Sequence, residues 1–307
     1  MTGISVYEEM LERNLDRYPV GAPSVLDADV QKLCRGDRSL RAMLPQLDAE
    51  VLARILDTAV WLDAPLAPTA KPRPGAPRTL VLAVHPEDGF AAMGGYLLNH
   101  RGWSDCMYVV MRNPSHGRGD GIQSSMERAL LRRDEASLMA RMTGVNTLWV
   151  NLPPKKDGRM SGASIPSILY DLMGQHDAAD VFVPAPLGKD PDRACLFEAV
   201  MRIYAGGYFK SSRFHVYESF PGAERHIEID DFLSLTENRY IRLQPWSEPI
   251  SEILEGKSQL VQLMRTMPGA SWDVEVLKVA RRAGSLIGSG TGYAERFWTL
   301  QLTFGRS

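Results

Sequence analysis

The stretch Thr79-Leu-Val-Leu-Ala-Val-His85-Pro86-Glu87-Asp88-Gly89-Phe-Ala-Ala-Met-Gly94-Gly95 decides the fold. Leu80 to Val84 is an apolar run of strand length. It ends in a histidine and two adjacent carboxylates, and a small-residue turn and a helical pattern follow. In an open α/β sheet, chemistry gathers at the carboxyl ends of the strands, where these polar residues fall. His85 and Asp88, three residues apart, can hold one divalent metal from a single loop. Glu87 is then left free to act as a base on a metal-bound water. Gly94-Gly95 lacks the third spaced glycine of a dinucleotide-binding fingerprint.

The alternation of strand and helix continues along the chain. Cys106 to Met111 is strand-like, rich in β-branched and aromatic residues. The polar loop Arg112-Asn-Pro-Ser115-His116-Gly117-Arg118 leaves that strand at its carboxyl end, where loops gather substrate. Arg112 lies nearest the strand and reads as a grip for an anionic group. His116 reads either as a replacement metal ligand or as a solvated loop residue. Thr147 to Leu152 and Val181 to Val183 are further strands. Asp190-Pro191-Asp192 has the form of a helix N-cap with proline at the first position. Asp190 can serve both as that cap and as a functional acid. Together these features predict an α/β sandwich over 79–307 with a mainly parallel, Rossmann-like sheet.

The His85-Pro-Glu-Asp88 run followed by Gly94-Gly95 resembles the His-Pro-Asp-Asp-Glu motif of the PIG-L/LmbE-like zinc de-N-acetylases. That resemblance implies that His85 and Asp88 are zinc ligands and that Glu87 is the general base. Glu87 stands where the family has Asp, and Gly89 where it has Glu. The family takes its third ligand from a His-Pro-Asp-His motif after a later strand. This chain has Asp190-Pro191-Asp192-Arg193 there, so both histidines are replaced. The family's first histidine stabilises an oxyanion; an acid in its place, Asp190, would repel a developing negative charge. Arg193 cannot ligate a cation, because it stays protonated and has no acceptor.

Two readings of the site follow. In one, Asp190 or Asp192 joins His85 and Asp88 to hold zinc or a harder metal such as manganese or iron. In the other, the Arg193 cation takes the metal's place and pairs with Asp88 or Glu87. The second reading gives those buried acids a positive partner, which favours it. Other segments carry the same resemblance: Leu130 to Ala136 with Gly144, Phe214-His-Val-Tyr217-Glu218, and Arg282-Ala-Gly284 with Tyr293-Ala294-Glu295 and Phe297. They extend it over residues 78–300.

The implied activity is hydrolysis of an N-acyl bond on an amino-sugar-like molecule by metal-activated water. Glu87 and Asp190 would act at the reacting centre, and Arg112, Arg193 and His116 would face the substrate. Transfer of the acyl group to another acceptor would use the same residues. The alternative is a catalytically inactive or repurposed member that binds a sugar, nucleotide or peptide partner without metal.

Ahead of this domain, the stretch from Ala64 to Arg78 contains Pro65, Pro68, Pro72, Pro74 and Pro77. Proline at that density denies both helix and sheet, so 64–78 reads as a stiff linker. Residues 1–63 hold three short helical patterns with a Gly36-Asp-Arg-Ser39 turn. They resemble small PqqD-like winged-helix modules, which bind peptides, so a peptide or protein partner is one expectation. A helical cap over the main domain is the other. The 307 residues, 44% hydrophobic and 23% charged, can bury one large core or two unequal ones. A net charge of −2 gives no reason to expect nucleic acid or an anionic membrane as partner. No apolar run is long enough to span a bilayer. Met1 to Arg17 lacks an apolar signal core, and three cysteines are too few for a disulfide framework, so a reducing cytoplasm is expected. His100, His176, His215 and His226 lack a partner pattern and read as structural or exposed. Gly284, Gly288, Gly290 and Gly292 lack the spacing and lysine of a phosphate loop.

Overall fold

The structure, a computed structural model, describes residues 77–102, 105–112, 125–152, 160, 165–187, 190–219, 241–264, 272–286 and 292–302. The 1–63 module, the 64–78 linker short of its last two residues, and the loop with His116 lie outside the described residues.

In chain order the elements are β1 (Arg78–Ala83), α1 (Asp88–Asn99), β2 (Asp105–Arg112), α2 (Ser125–Thr143), β3 (Asn146–Leu152) and α3 (Ile165–His176). They continue as β4 (Asp180–Pro184), α4 (Pro191–Ala205), β5 (Arg213–Tyr217), β6 (Ile241–Pro249), α5 (Leu254–Gln262), α6 (Trp272–Leu286) and β7 (Ala294–Leu302). The seven strands form one sheet in the order β3-β2-β1-β4-β5-β7-β6. β1 to β5 pair in parallel, and β7 runs antiparallel between β5 and β6. The expected mainly parallel α/β sheet is therefore present, with an antiparallel edge.

β1 is buried along both faces after Arg78, as a central parallel strand covered by helices must be. Its side chains alternate between two cores. Leu80, Leu82 and Val84 join one with Leu169, Val183 and Val200. Val81 and Ala83 join the other with Phe90, Tyr108 and Phe297. Strand order reverses between β1 and β4, because the chain leaves β1 for β2 on one side and returns to β4 on the other. Crevices at such a switch point, beyond the carboxyl ends of the strands, are where open α/β sheets bind ligands. His85 follows β1 and Asp190 follows β4, so both open onto this crevice.

α1, which carries Asp88, is broken. Met93 leaves the helical region at φ −130°, ψ 20°, and two distant elements fill the break. The Lys257 ammonium of α5 donates to the carbonyls of Phe90 (3.2 Å) and Ala91 (2.5 Å). Glu295 of β7 accepts from Gly95 N–H (2.8 Å) and Tyr96 N–H (2.7 Å). Lys257 and Glu295 pair at 2.7 Å. The fully buried ion pair thus replaces the backbone bonds that the kink removes, a requirement for any buried amide. Gly94 and Gly95 are glycines because a Cβ there would run into Leu260 and Ile250, respectively.

Candidate functional site

Each ionised side chain at the switch point has a partner brought by a different element. Asp88, in the first turn of α1, folds its carboxylate back on the end of β1. Oδ2 accepts from Val84 N–H (3.1 Å) and His85 N–H (3.0 Å). Its other oxygen, Oδ1, accepts from Arg193 Nη2 of α4 at 2.7 Å. The two side chains are 0% and 4% exposed, so this is a desolvated ion pair. Burial works against the Arg193 charge, but the neighbouring Asp88 raises its pKa above the ordinary arginine value.

Asp190 caps α4. Oδ1 accepts from Asp192 N–H (2.9 Å), and Pro191 occupies the first turn. Oδ2 meets His85 Nε2 at 3.0 Å, so the acid is both cap and partner of the β1 histidine. Burial lowers the pKa of His85, yet the bond to Asp190 and the charges of Asp88 and Glu87 prevail and raise it. Burial pushes Asp190 up, but the bond and charge of His85, with Arg193, hold it well below the usual carboxylate range. The pair is therefore imidazolium and carboxylate between the depressed pKa of Asp190 and the raised pKa of His85.

Asp192 points elsewhere. Its Oδ2 accepts from Arg112 Nη1 at 2.6 Å, and its Oδ1 from Met160 N–H at 2.7 Å. Glu87 is buried, and Arg132 Nη2 of α2 reaches its Oε1 at 3.3 Å. Glu87, Asp88, Asp190 and Asp192 thus face Arg132, Arg193, His85 and Arg112, four acids against four cations when the histidine is charged.

Seven of the eight residues singled out in the sequence converge here: Glu87, Asp190, His85, Asp88, Asp192, Arg112 and Arg193. The eighth, His116, is outside the described residues. Arg132 and Tyr108 were not singled out for the site. Arg132 belongs to the Leu130 to Ala136 segment that carries the family resemblance, which was its only signal. The Tyr108 hydroxyl donates to Pro86 O (2.9 Å) and accepts from Gly89 N–H (2.9 Å), holding the turn between Glu87 and the strand. A Cβ at position 89 would lie 2.7 Å from the Tyr108 ring, which excludes a side chain there. Burial and the Asp88 charge raise the Tyr108 phenol well above its ordinary pKa, so it stays protonated.

This donor set does not fit a divalent metal. Both Asp88 oxygens are engaged, one by a guanidinium, and both Asp192 oxygens are engaged as well. The fixed positive charge of Arg193 lies against the carboxylate that a cation would need. Among the described residues no three His, Cys, Asp or Glu side chains are grouped to hold a metal ion.

No protein-family model and no curated protein sequence matches this chain. Solved structures do. The zinc-inhibited form of teicoplanin deacetylase Orf2 matches with a TM-score of 0.58 at 14% identity, covering 74% of this chain and 99% of that one. N,N'-diacetylchitobiose deacetylase from Pyrococcus horikoshii, complexed with an inhibitor, matches with a TM-score of 0.55 at 19% identity, covering 82% and 93%. GalB, a 4-carboxy-2-hydroxymuconate hydratase from Pseudomonas putida, matches with a TM-score of 0.54 at 18% identity, covering 75% and 98%. The chain therefore has the α/β fold of these deacetylases, the fold that the His85-Pro-Glu-Asp88 resemblance implied. The hydratase is a reminder that one fold carries more than one chemistry, so function has to be argued from the site. No helix among the described residues is long and apolar enough to cross a membrane.

Proposed function

We propose that this chain is a repurposed protein of the deacetylase fold, one that binds an N-acylated, amino-sugar-like small molecule without a metal. The observation that carries this reading is the Arg193–Asp88 pair, 2.7 Å long and almost wholly desolvated. A guanidinium there does the electrostatic work that a bound cation would do for Asp88. It offers no open coordination position, and it cannot lower the pKa of a water as a metal does.

Three polar groups at the crevice keep some exposure: the side chains of His85 (15%), Asp190 (21%) and Arg112 (15%). The imidazolium and guanidinium offer donors and the carboxylate offers acceptors, which suits the hydroxyl and amide groups of a sugar. The names of two structural neighbours, a teicoplanin deacetylase and a diacetylchitobiose deacetylase, support that substrate class. They equally support the competing reading, hydrolysis of the same amide.

One experiment separates the two. The full chain is titrated with N-acetylglucosamine and N,N'-diacetylchitobiose, with chelator or with added zinc, and free acetate is measured. The proposal expects binding that is indifferent to chelator, with no acetate released. Acetate release that requires zinc and disappears in Glu87→Gln would establish the hydrolase instead.

A further inference from the structure

A second concavity lies at the other end of the sheet. Asp180 opens β4 and Arg213 opens β5, so this pocket sits at the strands' amino ends, whereas His85 and Asp190 lie beyond their carboxyl ends. Its volume is about 390 Å³, within the range of small-molecule sites. One wall is aromatic, made by Tyr96, Phe182 and Trp246. Phe297 stacks on the Trp246 ring at 4.4 Å and 18°, and His100 on the Tyr96 ring at 4.1 Å and 27°. These contacts hold the wall in place.

The ionic groups around the pocket are unequally engaged. Asp180 is saturated: Arg213 grips it with Nε and Nη2, each at 2.7 Å, and His215 Nε2 reaches it at 3.0 Å. That bidentate grip also uses the Arg213 fork, leaving little for an incoming anion. Glu248 is different. Asn99 Nδ2 (2.9 Å) and His100 Nε2 (3.4 Å) both go to its Oε1, and no described residue reaches Oε2. The bond from His100 outweighs burial and lowers the pKa of Glu248, so the carboxylate is charged at neutral pH.

We propose that this pocket binds an organic ammonium ion carried on an aromatic or short hydrocarbon body, the ammonium against Glu248 Oε2 and the aromatic wall. A cation beside an aromatic face is attracted by the ring quadrupole, most strongly by tryptophan. A carboxylate oxygen with no partner completes the site through a charge-assisted hydrogen bond or a close ion contact. An anion would meet Glu248 lone pairs, and a neutral ring would leave Oε2 unanswered. The site is independent of the chemistry at His85 and Asp88, and so is its test.

Full-length protein is titrated calorimetrically with benzylamine, benzyltrimethylammonium, benzyl alcohol and benzoate. Both cations should bind at least about tenfold more tightly than the alcohol or the anion, the size of one charge-assisted contact. Glu248→Gln should abolish that preference, and Trp246→Leu should weaken cation binding about 3- to 30-fold. Equal binding of benzyl alcohol, a preference that survives Glu248→Gln, or no binding of either cation would overturn the proposal. Glu248→Gln removes charge from a partly exposed side chain and keeps the protein folded, so the test does not rest on the tryptophan variant.

Discussion

Arg193→Met isolates the feature on which the site turns. The variant keeps the aliphatic bulk of the arginine stem but leaves Asp88 charged, fully buried and without its cation. Removing one partner of a buried pair costs about 3–5 kcal/mol. Asp88 Oδ2 still accepts two backbone N–H bonds in the variant, which places the loss near the lower end, at about 3 kcal/mol. In a domain of this size about 3 kcal/mol corresponds to a fall in Tm of roughly 6–12 °C. The decisive comparison adds Asp88→Asn. The asparagine oxygen can keep the backbone bonds while the stranded charge is gone, so the double variant should recover at least about half of the loss, a coupling expected only of contacting groups. Thermal and urea unfolding of the four proteins at pH 7 gives the cycle. If Arg193→Met costs less than about 1 kcal/mol, or the two penalties simply add, the desolvated pair is not what holds the crevice together.

Other consequences can be checked in the same way. The folded pKa of His85 lies above its ordinary 6.5, so its pairing contributes stability that is fully present below pH 6.5 and fades as pH rises through the folded value. His85→Gln should therefore flatten the decline in wild-type stability above pH 6.5; an unchanged slope in the urea midpoint would contradict the pairing. Asp190 is depressed from 3.8, so its contribution is present above that pH and is lost only in strong acid. Lys257→Met would leave Glu295 buried without its cation and two α1 carbonyls without a donor, costing about 3–5 kcal/mol. A loss of under 1 kcal/mol by denaturation would show that the α1 break does not depend on the lysine. Installing both missing histidines, Asp190→His with Arg193→His, should create zinc binding that the proposal does not expect of wild type. At zinc a hundredfold above Kd the gain is about 2.7 kcal/mol, read as a rise in Tm; no zinc-dependent rise would mean that the fold does not keep the metal geometry.

Local chemistry was legible and long-range pairing was not. Leu80 to Val84 reads as a strand because its apolar run stops abruptly at His85. Asp190-Pro191-Asp192 reads as a cap because the cap bond spans two residues. The replacement of two histidines by Asp190 and Arg193 was visible by position, although Arg193 had Glu87 and Asp88 as alternative partners until the geometry chose Asp88. Arg132 was different: its partner Glu87 lies 45 residues away, and nothing in a helical Arg-Arg run points to one particular acid. Gly94-Gly95 falls at the kink in α1, yet the groups that fill the break, Lys257 and Glu295, come from elements more than 160 residues downstream. His215 read as structural or exposed for want of a neighbouring partner; it bridges Asp180 and Thr299 because parallel pairing sets β5 beside β4 and antiparallel pairing sets it beside β7. Arg112, read as a grip for an anion, holds Asp192, whose distance in sequence hides the pair.

Metal content is the most direct measurement of the central claim. Wild-type protein and Asp88→Ala are purified from cultures supplied with zinc, manganese and iron, and bound metal is counted per chain. The ion-paired site predicts far less than one metal per chain in wild type and no difference in the variant. About one metal per chain in wild type, lost in Asp88→Ala, would mean that Arg193 yields its place to a cation and that the site is a metal centre after all.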